Sequence, residues 1–233
     1  TLADARDGIS AFLPYVTKGD GFYIDGSFIQ HNYIAYTGGY GASFISSLAE
    51  MLYLLDGSTW EVVDLGIANV YTWIYDAYEP FIYKGNFMDT VRGREISRHY
   101  EEDNVTSGHV VSALIQLAYT ASSTDAATFK SMIKSWLQAD PANTYLKKAT
   151  MWQLIEAKSI LNDSGVAPRA EQIKYKQFAS MDRVVQLRPG YGFNVGMFSD
   201  RMKNYEALNS EPNNIWHVAD GMTTLYNNDV TQF

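Results

Sequence analysis

The chain has 233 residues, of which 46% are hydrophobic and 14% aromatic, and its net charge is −8 at pH 7. This length predicts one large domain or two small ones, with enough apolar residues for a sizeable core. The acidic balance argues against nucleic-acid binding, the absence of cysteine excludes disulfides and thiolate chemistry, and no apolar run is long enough to predict a membrane span. An acidic protein that binds an acidic polymer must concentrate its few basic residues in a cleft.

Helical patterns occupy the first two-thirds of the chain. Apolar residues recur at helical spacing over residues 43–55, and Asp64 is a candidate cap for a second helix that runs towards Pro80. Three further helices are predicted at about residues 107–121, 124–138 and 145–161.

The pattern changes after Pro168. Residues 181–199 alternate in polarity around Gly and Pro, which predicts two strands and a turn, and residues 215–226 predict a hairpin around Asp220 and Gly221. Two or three strands cannot bury their faces alone. We therefore predict an α+β chain, with a helical domain at residues 1–168 and the start of a β-rich domain at residues 169–233.

The segment at residues 20–41 is rich in Gly, Tyr and polar residues and separates two predicted helices. A long loop in a compact domain is usually functional or disordered, and its aromatic residues argue against disorder. It contains His31 and Tyr40, which are both suited to proton transfer. The alternative is an ordered structural loop with a hydrogen-bonded histidine.

A run of three arginines occurs at residues 92–98, with the sequence RGREISR. Arg94 and Arg98 are four residues apart and would share one face of a helix. Two guanidinium groups on one face can lower the pKa of a neighbouring tyrosine or bind a carboxylate. The alternative is a solvated surface run.

Other common site patterns are missing from the sequence. The four histidines are scattered and form no metal-binding motif, and there is no phosphate-binding glycine loop or serine nucleophile elbow. The sequence therefore predicts no metal and no nucleotide or redox cofactor.

Three long blocks carry a family resemblance. They are DGSFIQH followed after eight residues by Tyr-Gly (25–41), MDTVRGREISR (88–98), and MDRVVQLRPGYGF followed by NYEALNSE and WHVADGMTTLYN (181–227). In this order they resemble the family-eight polysaccharide lyases, which act on hyaluronan, chondroitin or xanthan. The resemblance implies a secreted bacterial lyase that cuts acidic polysaccharides by β-elimination, as a monomer and without a cofactor.

The resemblance also implies an architecture. It predicts an incomplete α/α toroid followed by the start of an antiparallel β-sandwich, in the same order as the patterns above. The chain would then be the middle of a longer enzyme, and its first residue, Thr1 rather than Met, fits a processed, trimmed or excised segment.

Matching the motifs residue by residue assigns four catalytic candidates. Tyr40 would take the C5 proton of a uronic acid and protonate the leaving oxygen, and His31 would position the sugar or assist proton abstraction. Arg94 would favour the ionised form of the tyrosine. Glu206 would orient Tyr40 or Arg94 by hydrogen bonding.

The resemblance assigns three substrate-binding candidates. Asn209 is the second polar residue that the β-rich part contributes, and Arg98 adds positive charge to the cleft. Arg98 and Tyr100 resemble a pair that recognises the acidic terminal mannose of xanthan. We therefore predict xanthan side-chain cleavage, with hyaluronan or chondroitin as the alternative.

One family residue has no counterpart here. The family neutralises the uronate carboxylate with an asparagine upstream of the DGSF block, and Asn32 does not match that motif. A non-catalytic sugar-binding fragment therefore remains an alternative. A hydrolase of toroid architecture is another, and it would need a pair of carboxylates from among Asp20, Asp25, Asp89 and Glu95.

Overall fold

The structure is a computed structural model that describes residues 1–100, 102–208, 211 and 216–230. In this part of the chain, seven α-helices precede a four-stranded antiparallel sheet, which confirms the predicted fold class and the order of its parts. None of the described helices is long and apolar enough to cross a membrane. The helices are α1 Leu2–Ser10, α2 Tyr40–Leu55, α3 Ile67–Trp73, α4 Asp103–Thr120, α5 Ser123–Ala139, α6 Thr144–Lys148 and α7 Met151–Asn162.

Helices α2 and α4 form the centre of the helical part. The predicted first helix is confirmed, but α2 begins three residues earlier, at Tyr40, and its apolar face buries Ile45, Leu48 and Leu52. Helix α4 also starts earlier than predicted, at Asp103, and is buried along most of its length. Truncating a buried leucine such as Leu48 to alanine would cost about 2–5 kcal/mol of stability.

The helix predicted from Asp64 exists but begins later. The Asp64 carboxylate accepts a hydrogen bond from the Gly66 backbone at 2.6 Å, so it stabilises the turn before α3 rather than the helix end itself. After α3 the chain widens into a π-turn at Ile74–Tyr78 and tightens into a 3-10 turn at Glu79–Phe81. The helical path ends at Phe81, one residue after the predicted Pro80.

The helix predicted at residues 145–161 is two helices. Thr150 separates α6 from α7, because its side chain and that of Gln153 form a reciprocal capping box at the start of α7. The Thr150 backbone donates to Gln153 Oε1 at 3.1 Å. Helix α5 matches its prediction to within one residue at each end.

Short antiparallel pairings occur between the helices, and the larger sheet follows them. The short strands are β1 Gly21–Phe22, β2 Phe28–Gln30, β3 Ile34–Ala35, β4 Ile82–Tyr83 and β5 Asn86–Phe87. The sheet consists of β6 Lys174–Phe178, β7 Arg183–Arg188, β8 Tyr191–Gly196 and β9 Met222–Asn227, in that order.

The sheet confirms one predicted hairpin and corrects the other. Strands β7 and β8 pair around the predicted turn, whereas residues 216–219 are turns and only β9 of the second predicted hairpin is a strand. The reason is that β9 pairs with β8, from Gly196 opposite Met222 onward, instead of with the residues before it. Ile215 lies outside the described residues.

Two polar contacts, one buried and one partly buried, fix the sheet against the helical part. The Arg183 side chain, 2% exposed, donates to the carbonyl oxygens of Thr90 and Met197 at 2.7 Å each. Asp25 accepts hydrogen bonds from the backbone of Ser27 at 2.9 Å and of Ser180 at 2.8 Å. The sheet is thereby joined to both motif-bearing segments, residues 25–41 and 88–98.

Candidate functional site

His31 lies in a strained turn between β2 and β3. Its φ is 53° and that of Asn32 is 65°, a left-handed conformation that non-glycine residues seldom adopt. The Asp20 carboxylate stabilises this turn by accepting from the Asn32 backbone at 2.6 Å and from Gln30 at 3.0 Å. Strain that the surroundings maintain in this way is typical of functional positions.

Tyr40 is the first residue of α2 and lies between two other aromatic rings. The ring centroids of His31 and Tyr36 are each 4.9 Å from that of Tyr40, in edge-to-face geometry. Tyr40 and His31 are partly exposed, whereas Tyr36 is fully buried. The arrangement places a partly exposed tyrosine and a partly exposed histidine beside a buried phenol.

Arg94 lies beneath this group, in the 3-10 turn Gly93–Ser97, and is 5% exposed. Its Nη2 donates to the Tyr40 hydroxyl at 3.0 Å, and its Nη1 donates to Glu206 Oε2 at 2.5 Å. Arginine only donates hydrogen bonds, so the Tyr40 oxygen is the acceptor and its own proton is left for another partner. A guanidinium in this position stabilises negative charge that develops on the tyrosine oxygen.

Glu206 joins the histidine to the arginine. One carboxylate oxygen is hydrogen-bonded to His31 Nδ1, and the other accepts from Arg94 and from the Tyr36 hydroxyl at 2.8 Å. Burial opposes ionisation of Glu206, but these hydrogen bonds hold the pKa of its carboxyl below the usual value. An ionised Glu206 requires the proton on Nδ1, so neutral His31 carries an unprotonated Nε2 that can accept a proton.

The backbone also brings Glu206 to this position. Lys203, three residues before it, donates its N–H to the Tyr33 carbonyl at 2.9 Å, two residues after His31. The segment between β8 and β9 is thereby fixed to the histidine turn.

Arg98 is connected to the site through Glu211. Arg98 Nε donates to Glu211 Oε1 at 2.6 Å, and Arg94 Nε lies 2.6 Å from Glu211 Oε2, close enough for an ion pair although the angle does not suit a hydrogen bond. The hydrogen bond from Arg98 lowers the pKa of the Glu211 carboxyl. The predicted shared helical face is wrong, because the 3-10 turn ends at Ser97 and a carboxylate, not a helix, brings the two arginines together.

The remaining predicted residues have different surroundings. Tyr100 is 59% exposed, and its ring centroid lies 5.6 Å from that of His99. Asn209 lies outside the described residues. Glu206 contacts Arg94 as expected but reaches Tyr40 only through it.

The carboxylates considered for hydrolysis have partners of their own. Asp20 and Asp25 accept backbone hydrogen bonds that stabilise turns, as described above. Asp89 pairs with Arg92 at 2.7 Å, and Glu95 with Arg98 at 3.4 Å. These contacts give each carboxylate a structural role.

Sequence reasoning missed two members of the site, Tyr36 and Glu211. Nothing in the local pattern distinguishes Tyr36 from the other 16 tyrosines of the chain. Glu211 follows Glu206 by five residues in an acidic and polar stretch, which was a weak signal. Both are identified only by the atoms that they contact.

Comparisons with known families agree with the division into a helical and a sheet part. The model described as "Polysaccharide lyase family 8, N terminal alpha-helical domain" matches residues 1–135. The model described as "Polysaccharide lyase family 8, super-sandwich domain" matches residues 173–233.

Individual relatives extend this similarity. A xanthan lyase of Bacillus sp. (strain GL1) is 45% identical over 234 residues, covering 100% of this chain and 25% of the relative. A hyaluronate lyase of Thermasporomyces composti is 40% identical over 231 residues, covering 98% of this chain and 30% of the relative. A solved Paenibacillus xanthan lyase superposes with a TM-score of 0.96 at 56% identity, covering 98% of this chain and 22% of that one. The chain spans under a third of each.

Proposed function

Since the chain belongs to polysaccharide lyase family 8, we propose that it is the central segment of an enzyme that cleaves acidic polysaccharides by β-elimination at C4 of a uronic acid. One observation carries this proposal: the Arg94 guanidinium holds the Tyr40 hydroxyl at 3.0 Å while Glu206 binds the neighbouring His31. This is the arrangement that an acid–base reaction through a tyrosine oxygen requires.

The reaction removes a proton from a carbon that is already next to a negative group. Tyr40, as its phenolate, takes the C5 proton, and the electron pair left on C5 forms the C4–C5 double bond as the C4–O bond breaks. Tyr40 then returns the proton to the leaving oxygen. One residue therefore serves as base and acid, and the products are an unsaturated uronate and a free hydroxyl.

The surrounding residues lower the barrier by charge and orientation. Arg94 stabilises the phenolate form of Tyr40, since its charge is held at hydrogen-bond distance in a mostly buried position. The unprotonated Nε2 of His31 accepts a hydrogen bond from the sugar or assists the proton transfer. Glu206 fixes the orientation of both Arg94 and His31, because each of its carboxylate oxygens binds one of them.

We propose xanthan side chains as the substrate, with hyaluronan or chondroitin as the alternative. The match of Arg98 and Tyr100 to an acid-recognising pair supports xanthan, as does the similarity to the Bacillus xanthan lyase. Arg98 is bound to Glu211 here, so an anionic sugar substituent would share or replace that contact. We also propose a secreted bacterial enzyme that acts as a monomer.

The activity of the isolated segment is a separate question, since the chain spans a quarter of its xanthan lyase relative. The family asparagine that neutralises the uronate carboxylate is expected upstream of this chain. We therefore expect the segment alone to bind sugars with little or no turnover. A longer protein that adds the upstream helices should be active.

The test is the ultraviolet absorbance of the conjugated double bond. The segment and the longer protein are incubated separately with xanthan, hyaluronan and chondroitin, with the Tyr40→Phe form as the control. A rise with the longer protein on one polymer supports elimination and identifies the substrate. Cleavage that yields saturated sugars, or no cleavage of any polymer by the longer protein, would contradict the proposal.

A further inference from the structure

The buried hydroxyl of Tyr36 has a hydrogen-bonding pattern that defines where its proton lies. Its oxygen accepts from the Arg94 backbone at 3.2 Å and from Arg94 Nη1 at 3.0 Å. Both arginine groups can only donate, so the Tyr36 proton must point to its third neighbour, Glu206 Oε2, at 2.8 Å. The Tyr36 hydroxyl thus accepts from Arg94 and donates to Glu206.

We propose that Tyr36 is a positioning residue of the elimination site, a role that rests on the proposed function. It fixes the ionised Glu206 relative to Arg94, and Glu206 in turn fixes the His31 ring with its proton on Nδ1. Tyr36 therefore determines which histidine nitrogen faces the sugar. It contributes through other side chains and touches no substrate.

Burial excludes Tyr36 as a second acid or base. Its side chain is 0% exposed, so no sugar atom reaches its oxygen. Desolvation and the hydrogen bond to Glu206 raise its pKa far above the usual value of a tyrosine. The hydroxyl remains neutral and acts only as a hydrogen-bond donor and acceptor.

The ring of Tyr36 packs directly against two glycines of the motif blocks. A Cβ atom on Gly39 would lie 2.5 Å from the ring, and one on Gly93, whose φ is +56°, would lie 2.2 Å from it. The ring therefore packs against both the segment that leads into Tyr40 and the segment that carries Arg94. Its edge-to-face contact with Tyr40 completes this packing. A larger residue at either glycine would displace this ring.

The direct test is Tyr36→Phe in the longer, active protein. The ring and its packing remain, while Glu206 loses one donor. We expect kcat to fall about 10- to 100-fold, as for other residues that orient a reacting group, with KM within about twofold of the parent. The matched control is Tyr145→Phe, which also removes a buried hydroxyl, one that contacts Ser112 at 3.1 Å in the helical core.

The pH profile separates positioning from mere stability. Loss of the Tyr36 donor raises the pKa of the Glu206 carboxyl, so the acid limb of kcat/KM should move to higher pH in Tyr36→Phe and stay in place in Tyr145→Phe. Should the phenylalanine form not fold, 3-fluorotyrosine at position 36 gives the same test. Its more acidic hydroxyl donates more strongly, so the limb should move to lower pH.

The outcomes are distinct from those of the proposed function. If the parent protein produces the unsaturated product but Tyr36→Phe keeps its kcat and its acid limb, the positioning role is wrong and the function stands. An unshifted acid limb with 3-fluorotyrosine at position 36 overturns the role equally. If the parent protein eliminates none of the polymers, the proposed function itself fails, which the parent assay shows before any variant is examined.

Discussion

Two arginines that are two residues apart, Arg92 and Arg94, have nearly the same surroundings. Each is at most 5% exposed and pairs with two carboxylates, and each cluster includes a tyrosine hydroxyl. Arg92 binds Asp89 and Asp103, and the Tyr226 hydroxyl lies 3.4 Å from Asp103. The Arg92 cluster joins the start of α4 to strand β9, just as the Arg94 cluster joins the histidine turn to the segment after β8.

The difference between the clusters lies in what they place at the surface. The Arg94 cluster supports the partly exposed Tyr40 and His31, whereas the Tyr226 ring of the Arg92 cluster is buried. Burial raises the carboxyl pKa of both Glu206 and Asp103. For Glu206, hydrogen bonds from three donors outweigh this effect and lower the pKa. For Asp103, the negative charge of Asp89 adds to the effect of burial, and the pKa rises to about 7. The same residue types are therefore structural in one place and suited to catalysis in the other.

Removing the Tyr40 hydroxyl should have the largest effect. Tyr40→Phe deletes the oxygen that transfers the proton, and we expect kcat to fall about 10³-fold in the longer protein with little change in substrate binding. The matched control is Tyr75→Phe, whose hydroxyl contacts Asp125 at 2.7 Å away from the site. Steady-state elimination rates that remain near those of the parent would refute the role of Tyr40.

Replacing each arginine in turn breaks the comparison directly. We expect Arg94→Met to lower kcat about 10²- to 10³-fold, because the phenolate loses its cation. Arg92→Met should instead lower the free energy of unfolding by about 3–5 kcal/mol, because it leaves the largely buried Asp103 carboxylate without its cation, with kcat per folded molecule retained. Kinetics and chemical denaturation of both variants check this. An equal loss of kcat in both, at unchanged stability, would contradict the distinction.

The pH dependence of stability should have opposite sign in the two clusters. The lowered pKa of Glu206 stabilises the fold above the unfolded-state value, and this contribution is lost as pH falls. Glu206→Gln should therefore be less stable than the parent at neutral pH, with a smaller difference in acid. The raised pKa of Asp103 stabilises the fold below 3.8, and this is lost as pH rises through about 7. Asp103→Asn should therefore gain stability over the parent as pH rises.

Denaturation curves at several pH values between about 2 and 8 measure both differences, since the Glu206 contribution changes below 4.5 and the Asp103 contribution changes between 3.8 and about 7. The stability difference between the parent and Glu206→Gln should shrink at the acid end of the range. Asp103→Asn should become more stable relative to the parent at the alkaline end. Parallel pH curves for the parent and either variant would show that its carboxyl does not titrate as inferred.

The smallest predicted effect concerns the substrate. Tyr100 is exposed beside the arginine motif, and loss of an aromatic contact is worth about 0.5–1.5 kcal/mol. Tyr100→Ala should therefore raise KM for xanthan by about threefold to tenfold and leave hyaluronan unaffected. Tyr175→Ala, which removes another exposed tyrosine in β6, is the control. An equal change in KM for both polymers would argue against recognition of the xanthan side chain.

The sequence by itself determined the parts of this protein that depend on local patterns. Helical spacing located α2, α4 and α5, since each buries one continuous face or its whole length, and alternation located β7 and β8. The motif blocks selected His31, Tyr40, Arg94 and Glu206 as candidates, and the fold brings these four side chains together.

Only the tertiary structure decided what depends on distant partners. Strand β9 pairs with β8 across 25 intervening residues, so its upstream neighbours did not have to form a hairpin. Tyr36 and Glu206 are 170 positions apart, and their contact arises from the packing of the sheet against the helices. Arg92 and Arg94 cannot be told apart by residue type or spacing. They differ in the carboxylates and hydroxyls that each buried guanidinium contacts, and only the tertiary structure sets those contacts.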